Sequence, residues 1–514
     1  MNEPMQIELF EDDKVGLVHS VSQVLKRMGE GCRGYHNSRA VVRLQDRTSI
    51  MDAISSTRVL PMYLTDVLAL GAMTRTPVAL RGGTDQGKTE VAERALNALF
   101  GPSGEGWWRT EVNAGMSIDD LLDVDFGKLE HSKLSSALSA ARWLTFPAIL
   151  LDEINRAPAK LANMLLHIAD GKGLHTKANM PIPVGYSYTV DGVPARYSFV
   201  VATANKQNGE YDGVFEEDAA LTRRLALSID MDVLPPTPTD IHHCMSGETS
   251  QDGLPTFEPM LPAILRIYRS LENTIDMSPL AQLFVFYLSG IGTCIRTRSG
   301  RFIPGLKREI CEGCHLSKSN AFCGRVGGLS VGLLQIVRRL AVGIAVIRAA
   351  KALEHMREML ERKRGHEVQA PTGSEDSAAI TMERLEEDYI RALNVTGEDV
   401  VSAFSLVASQ HVYIDEAWLN SQKDLERSRR HAVQRFASKS WDDFRGLLNK
   451  HEGLIGVLAT QACLGPELQA ELEALVTCED AAMISVLTAL RDEAIPPLQL
   501  PGTVPSAQPQ GAVL

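Results

Sequence analysis

A chain of 514 residues with 44% hydrophobic and 23% charged side chains has the composition of a soluble globular protein and the length for two to four domains. Its net charge of −12 argues against general affinity for nucleic-acid phosphate and leaves only a local basic channel open. Met1-Asn2-Glu3-Pro4 lacks the basic, apolar, small-residue order of a signal peptide. The most apolar stretch, Leu333 to Ala350, carries Arg338, Arg339 and Arg348, so it predicts a buried helix rather than a membrane span, with the cytoplasm as the expected compartment.

Residues 1–60 predict a mostly helical segment, with a helical pattern around Val15 to Val21 and then an irregular Gly-rich piece whose role is not legible. From residue 61 to 234, strands alternate with helices, as in an α/β core whose parallel sheet is flanked by helices. The first strand, Pro77-Val78-Ala79-Leu80, runs into Arg81-Gly82-Gly83-Thr84-Asp85-Gln86-Gly87-Lys88-Thr89 and a helix beginning at Glu90. Strand, glycine loop and helix make a phosphate cradle. Gly82, Gly83, Thr84, Asp85, Gln86 and Gly87 supply backbone N–H groups, Lys88 neutralises the β and γ phosphates, and the Thr89 hydroxyl holds Mg²⁺. The helix N-terminus adds favourable partial charge.

Ala148-Ile149-Leu150-Leu151-Asp152-Glu153 is an apolar run too short for an ordinary helix, ending in two carboxylates, and predicts a buried central strand. At the carboxyl end of such a strand Asp152 can hold the shell of Mg²⁺ while Glu153 polarises the attacking water. The competing reading makes Asp152 a helix cap and Glu153 a first-turn acid, which leaves the glycine loop without its metal partner. A third strand, Tyr197 to Asn205, places Asn205 to touch the γ-phosphate or the water. Arg223 and Arg224 follow, either as an arginine finger for the neighbouring subunit, Arg223 ahead of Arg224, or as a solvated helix face. Between the acids and Asn205, the alternating run Pro181 to Val193 flanks Asp191-Gly192 and predicts a hairpin.

Pro235-Pro236-Thr237-Pro238 marks the passage into a helical region, 235–413, in which Leu333, Val337, Leu340, Ile344 and Ile347 have core spacing. That region is interrupted by a polar, unpatterned loop at 365–377, expected to be mobile. It also holds Cys294, Cys311, Cys314 and Cys323, spaced C-x16-C-x2-C-x8-C. In a reducing compartment this set suggests a Zn²⁺ site or an iron–sulfur cluster, with His315 adjacent, and the competing reading is four unlinked cysteines. Residues 414–500 predict a further helical region around Trp418, Trp441 and Phe444, and 501–514 an uncharged disordered tail. The basic residues Lys423, Arg427, Arg429, Arg430 and Arg435 read as a solvated helix face ahead of a nucleic-acid site.

The order glycine loop, acid pair, Asn, Arg resembles that of an AAA+ ATPase, and Leu151-Asp152-Glu153-Ile154-Asn155-Arg156-Ala157-Pro158 with Ala202-Thr203-Ala204-Asn205 resembles the MoxR-like group and its magnesium- and cobalt-chelatase relatives. Val395-Thr396-Gly397-Glu398-Asp399-Val400 resembles the last part of that group's helical lid; the likeness runs from about residue 60 to about 415. The resemblance implies a ring, usually a hexamer, with ATP between subunits and hydrolysis remodelling a partner protein, often one with a von Willebrand factor A domain. It also implies that the 181–193 hairpin faces the pore and contacts substrate, against the alternative of a surface hairpin with no partner. Two departures stand out. Asp85-Gln86 replace a glycine and a small residue, at a loop position suited to positive φ, and Gly332 stands where the lid supplies an arginine, so either another arginine such as Arg325 or Arg338 takes that task or the lid couples to nucleotide differently. Two other functions fit the same residues: a nucleotide-gated assembly scaffold with slow hydrolysis, and a nucleic-acid remodeller using the cysteine-rich insert.

Overall fold

The computed structural model describes residues 5–10, 12–32, 40–46, 59–117, 119–129, 137–158, 161–162, 164–165, 168, 174–175, 181–205, 225–234, 236–245, 257–292, 326–327, 330–366, 384–414, 416–421 and 429–450. Two compact units divide the chain, Met1–Asp276 with Gln335–His411, and Met277–Leu334 with Val412–Leu514.

The first unit is built on a five-stranded sheet. Its spatial order is Leu227–Asp230, Val78–Gly82, Phe199–Asn205, Ala148–Asp152, Trp108–Glu111, and every neighbouring pair is parallel. The loop strand and the acid strand are therefore not neighbours; the strand ending in Asn205 lies between them. Strands buried on both faces read as continuous apolar runs, and Ala148–Asp152 is buried at every position while Phe199–Asn205 is buried up to Ala204. Register fixes the ends: Asn205 lies opposite Gly82, and Asp152 opposite Glu111. The carboxyl termini of loop, asparagine and acid strands thus open on one edge, where ligands of open α/β sheets bind.

Residues ahead of the sheet join this unit. Helix Lys14–Gly31 starts at an Asp13 cap, whose carboxylate accepts from the Gly16 N–H at 2.8 Å. Met5–Ile7 runs parallel to Tyr186–Val190, which pairs in turn with Val193–Tyr197. The expected hairpin is present, and Asp191 and Gly192 both have positive φ (51° and 76°), the geometry of a type I′ turn. Tyr188 and Tyr197 anchor it in the core, and Val193 stands 65% exposed beside the turn.

Past residue 235, helix Pro238–Met245 begins on a proline, with the Asp240 carboxylate accepting from the Thr237 N–H at 2.8 Å. The apolar stretch becomes the helix Val331–His366, with Leu333, Val337, Leu340, Ile344 and Ile347 all buried, and it continues through Gly365, where the polar loop was expected to have begun. Residues 367–383 lie outside the described set. Arg348, 1% exposed, is held inside by two bonds to Asp399 (2.9 and 3.0 Å), by the Asn394 carbonyl at 3.2 Å, and by Asp46 at 3.6 Å. Tyr389 donates its phenol proton to the same Asp46 carboxylate. Burial pulls the Arg348 pKa down, and Asp399, Tyr389 and Asp46 together push it up further than burial lowers it. Asp399 is also the acid partner of a capping box at the start of the helix Gly397–His411: its carboxylate accepts from the Thr396 N–H at 2.9 Å while the Thr396 hydroxyl accepts the Asp399 N–H at 3.3 Å. No described helix is long and apolar enough to cross a membrane.

In the second unit, Pro279–Gly292 packs on Arg429–Lys450 through Phe284, Tyr287, Trp441 and Phe444, with ring centroids as close as 4.9 Å between Phe284 and Trp441. Cys294, Cys311, Cys314 and Cys323 lie outside the described residues, and among the described residues no cluster of His, Cys, Asp or Glu has the make-up of a metal site.

Candidate active site

The glycine loop turns through two left-handed residues, Asp85 (φ 61°) and Gly87 (φ 68°), before helix Lys88–Phe100 begins. Asp85 thus occupies the positive-φ position that its departure from the usual glycine suggested, and Asp bears that conformation better than most side chains. Lys88 is buried, and its ammonium donates to the Gly82 carbonyl at 3.1 Å and to the Gly83 carbonyl. Burial pulls the Lys88 pKa down, and the carboxylates of Asp232, Asp152, Glu153 and Asp85 oppose that shift.

The Thr89 hydroxyl donates to Asp152 Oδ1 at 2.9 Å, across 63 residues of sequence. Hydroxyl and carboxylate oxygens side by side at the mouth of a phosphate loop are the hard donor set that Mg²⁺ takes. Asp152 is 4% exposed and also accepts from the Thr203 hydroxyl and, at 2.6 Å, from Arg109. Thr203 serves both acids, since its Oγ1 also accepts the Glu153 N–H at 2.9 Å. Glu153 itself is left-handed (φ 56°), an uncommon conformation for a long side chain, and backbone strain of this kind concentrates at functional sites. Its carboxylate meets Asn205 Nδ2 at 3.4 Å and Arg156 at 3.0 Å. Asn155 donates to the Asn205 carbonyl at 2.9 Å, fixing the end of the middle strand from the acid side.

Lys88, Thr89, Asp152, Glu153 and Asn205 therefore converge at one edge of the sheet. Arg223, Arg224 and Arg325 lie outside the described residues; Arg338 is exposed on the helix Val331–His366. Three participants were missed in the sequence. Arg109, on the edge strand, bridges Asp152 and Glu93 (2.6 and 2.7 Å), the latter from the helix that follows the loop. Thr203 ties the acids together. Asp232, just past the far-edge strand, accepts the Gly83 N–H at 2.9 Å and braces the loop from behind. A β-carbon at Gly82 would sit 3.1 Å from that Asp232 carboxylate, so the glycine lets the brace approach.

Neither the family models nor the curated proteins contain a match to this chain. Among solved structures, the chain is similar to a candidate ATPase from Cytophaga hutchinsonii, at 12% identity and a TM-score of 0.44, over 83% of this chain and 96% of that one. It is also similar to a full-length MCM homolog from Methanopyrus kandleri, at 13% identity and a TM-score of 0.31, over 67% of this chain and 61% of that one. At such values neither likeness adds to the argument. What stands on this chain's own geometry is the fold. The parallel five-stranded sheet, the glycine loop and the acid pair form a P-loop α/β core, with helices after it.

Proposed function

We propose that this protein is an AAA+ ATPase of the MoxR-like kind, a cytoplasmic ring, usually of six subunits, that hydrolyses MgATP and remodels a separate partner protein. The observation carrying this reading is the 2.9 Å bond between Thr89 and Asp152, which joins the two halves of a metal–triphosphate site. In the mechanism, the loop N–H groups from Gly82 to Gly87 and the Lys88 ammonium bind the phosphates. Held by Thr89 and Asp152, Mg²⁺ would neutralise charge developing on the phosphate oxygens. Glu153 accepts a proton from the attacking water, and Asn205, 3.4 Å from its carboxylate, orients it. Arg223, with Arg224 beside it, completes the neighbouring subunit's site. The exposed hairpin tip at Asp191–Val193 is the surface offered to a client, and a partner carrying a von Willebrand factor A domain fits the resemblance.

One observation favours a slower, scaffold-like protein: Asp152 and Glu153 are each engaged by an arginine, Arg109 and Arg156. Turnover measured beside nucleotide-dependent oligomer size separates the readings. A motor shows both, and a scaffold shows nucleotide-dependent assembly with negligible hydrolysis, which would overturn the motor.

Arg109 supplies a finer test. Its guanidinium competes with a cation for the Asp152 carboxylate, and a half-exposed ion pair contributes up to about 1 kcal/mol. Arg109→Gln is expected to lower the Mg²⁺ concentration that half-saturates nucleotide binding by about two- to fivefold. Fluorescent-nucleotide titrations at fixed Mg²⁺ steps read this directly, and an unchanged Mg²⁺ dependence contradicts the competition.

A further inference from the structure

A cavity of about 450 Å³ lies at the amino end of the loop strand, where Leu64–Thr74, Leu261–Thr274 and Val331–His366 meet. The glycine loop leaves the other end of that five-residue strand. Three guanidinium side chains line the cavity, Arg75, Arg269 and Arg339, with Glu272 as the one lining carboxylate and Tyr268 and Asn273 as further polar walls. Its volume falls within the range of small-molecule sites, and its lining carries a net positive charge.

Arg75 reaches the Tyr268 hydroxyl at 3.5 Å, and Arg339 stands 3.9 Å from Glu272. Arg269 is fixed more firmly, donating to the Tyr188 hydroxyl at 2.6 Å with its guanidinium 5.4 Å from the Tyr268 ring centroid. Arg75 also carries backbone strain. It closes the helix Leu64–Thr74 in the left-handed region (φ 52°, ψ 41°), a position where glycine is the favoured residue. An arginine stands where a glycine would relax the chain, and its side chain lines the cavity.

We propose that this cavity binds a small phosphorylated anion, separate from the nucleotide loop. Planar guanidinium forks match phosphate oxygens, and an entering phosphate would take over Arg339 from the distant Glu272. Arg269, already oriented by Tyr188, would form the fixed wall of the site.

Calorimetric titration of pyrophosphate into the full chain carrying Lys88→Ala tests this, because that substitution removes the loop's main phosphate contact. Inorganic phosphate and citrate serve as comparison ligands, and a phosphate site ranks pyrophosphate above both. Binding is expected to persist in Lys88→Ala and to weaken at least about tenfold when Arg75→Gly or Arg339→Gln is added, the size of one charge-assisted hydrogen bond. Arg75→Gly suits the test because glycine is at home in the left-handed cap, so a raised melting temperature should accompany the lost binding. Pyrophosphate affinity that vanishes with Lys88→Ala alone, or that survives both arginine substitutions, overturns the proposal. So does citrate binding as well as pyrophosphate.

Discussion

The Glu153→Gln chain is expected to bind MgATP with the affinity of the parent and to hydrolyse it about 10²- to 10⁴-fold more slowly, the usual contribution of a positioned general base. Glutamine keeps the size of the side chain and can still meet Asn205 through its amide, so the geometry around Thr203 and the left-handed backbone should survive. What it loses is the capacity to take a proton from water. Steady-state turnover with separate nucleotide-binding isotherms checks the split, and turnover like the parent's would remove Glu153 from the role of base. The same chain, arrested with nucleotide bound, should retain its clients on affinity capture. Partners recovered with it and lost when Lys88→Ala is added would identify what the motor acts on.

The largest stability effect is expected at Asp399. Arg348 and Asp399 are each 2% exposed at the side chain, and removing Asp399 leaves the buried guanidinium with the Asp46 carboxylate at 3.6 Å, at a cost toward the lower end of about 3–5 kcal/mol. Asp399→Ala also removes the acid half of the capping box at the start of the helix Gly397–His411, where Thr396 donates to the same carboxylate. Urea denaturation followed by circular dichroism should show the loss as a lower midpoint. Replacing both partners, as Arg348→Met with Asp399→Leu, should recover only part of it, since Asp46 then stays buried with the Tyr389 phenol but without its cation. A shift below about 1 kcal/mol for Asp399→Ala would mean that the pair is dispensable.

These two sites differ in how far they could be read from the chain alone. Lys88, Thr89, Asp152 and Glu153 sit in short motifs whose chemistry is local, and the turn Asp191-Gly192 is a two-residue signal. Asp85 was legible in the same way, because few side chains accept a positive φ. Arg109, Thr203 and Asp232 were not. Each reaches the site through strand order: Arg109 because its strand pairs with the acid strand, Thr203 because the middle strand intervenes, and Asp232 because the last strand flanks the loop strand. Nothing in the spacing of residues along a chain states which parallel strands become neighbours. Arg348 was half legible. Three arginines in an apolar helix excluded a membrane span, but the partners Asp46 and Asp399 lie 302 residues before and 51 after it. The N-terminal segment, opaque as sequence, gains its purpose from such partners: Met5–Ile7 extends the hairpin sheet and Asp46 completes the buried charge network.

The central claim is that Lys88 and the Thr89–Asp152 pair form a single site for MgATP, and calorimetric titration of ATP into the full chain, with and without Mg²⁺ and with and without Lys88→Ala, tests it most directly. Saturable binding strengthened by Mg²⁺ and abolished in Lys88→Ala is the expected result. Heat of binding that is absent from the parent chain, or that persists unaltered in Lys88→Ala, would contradict it.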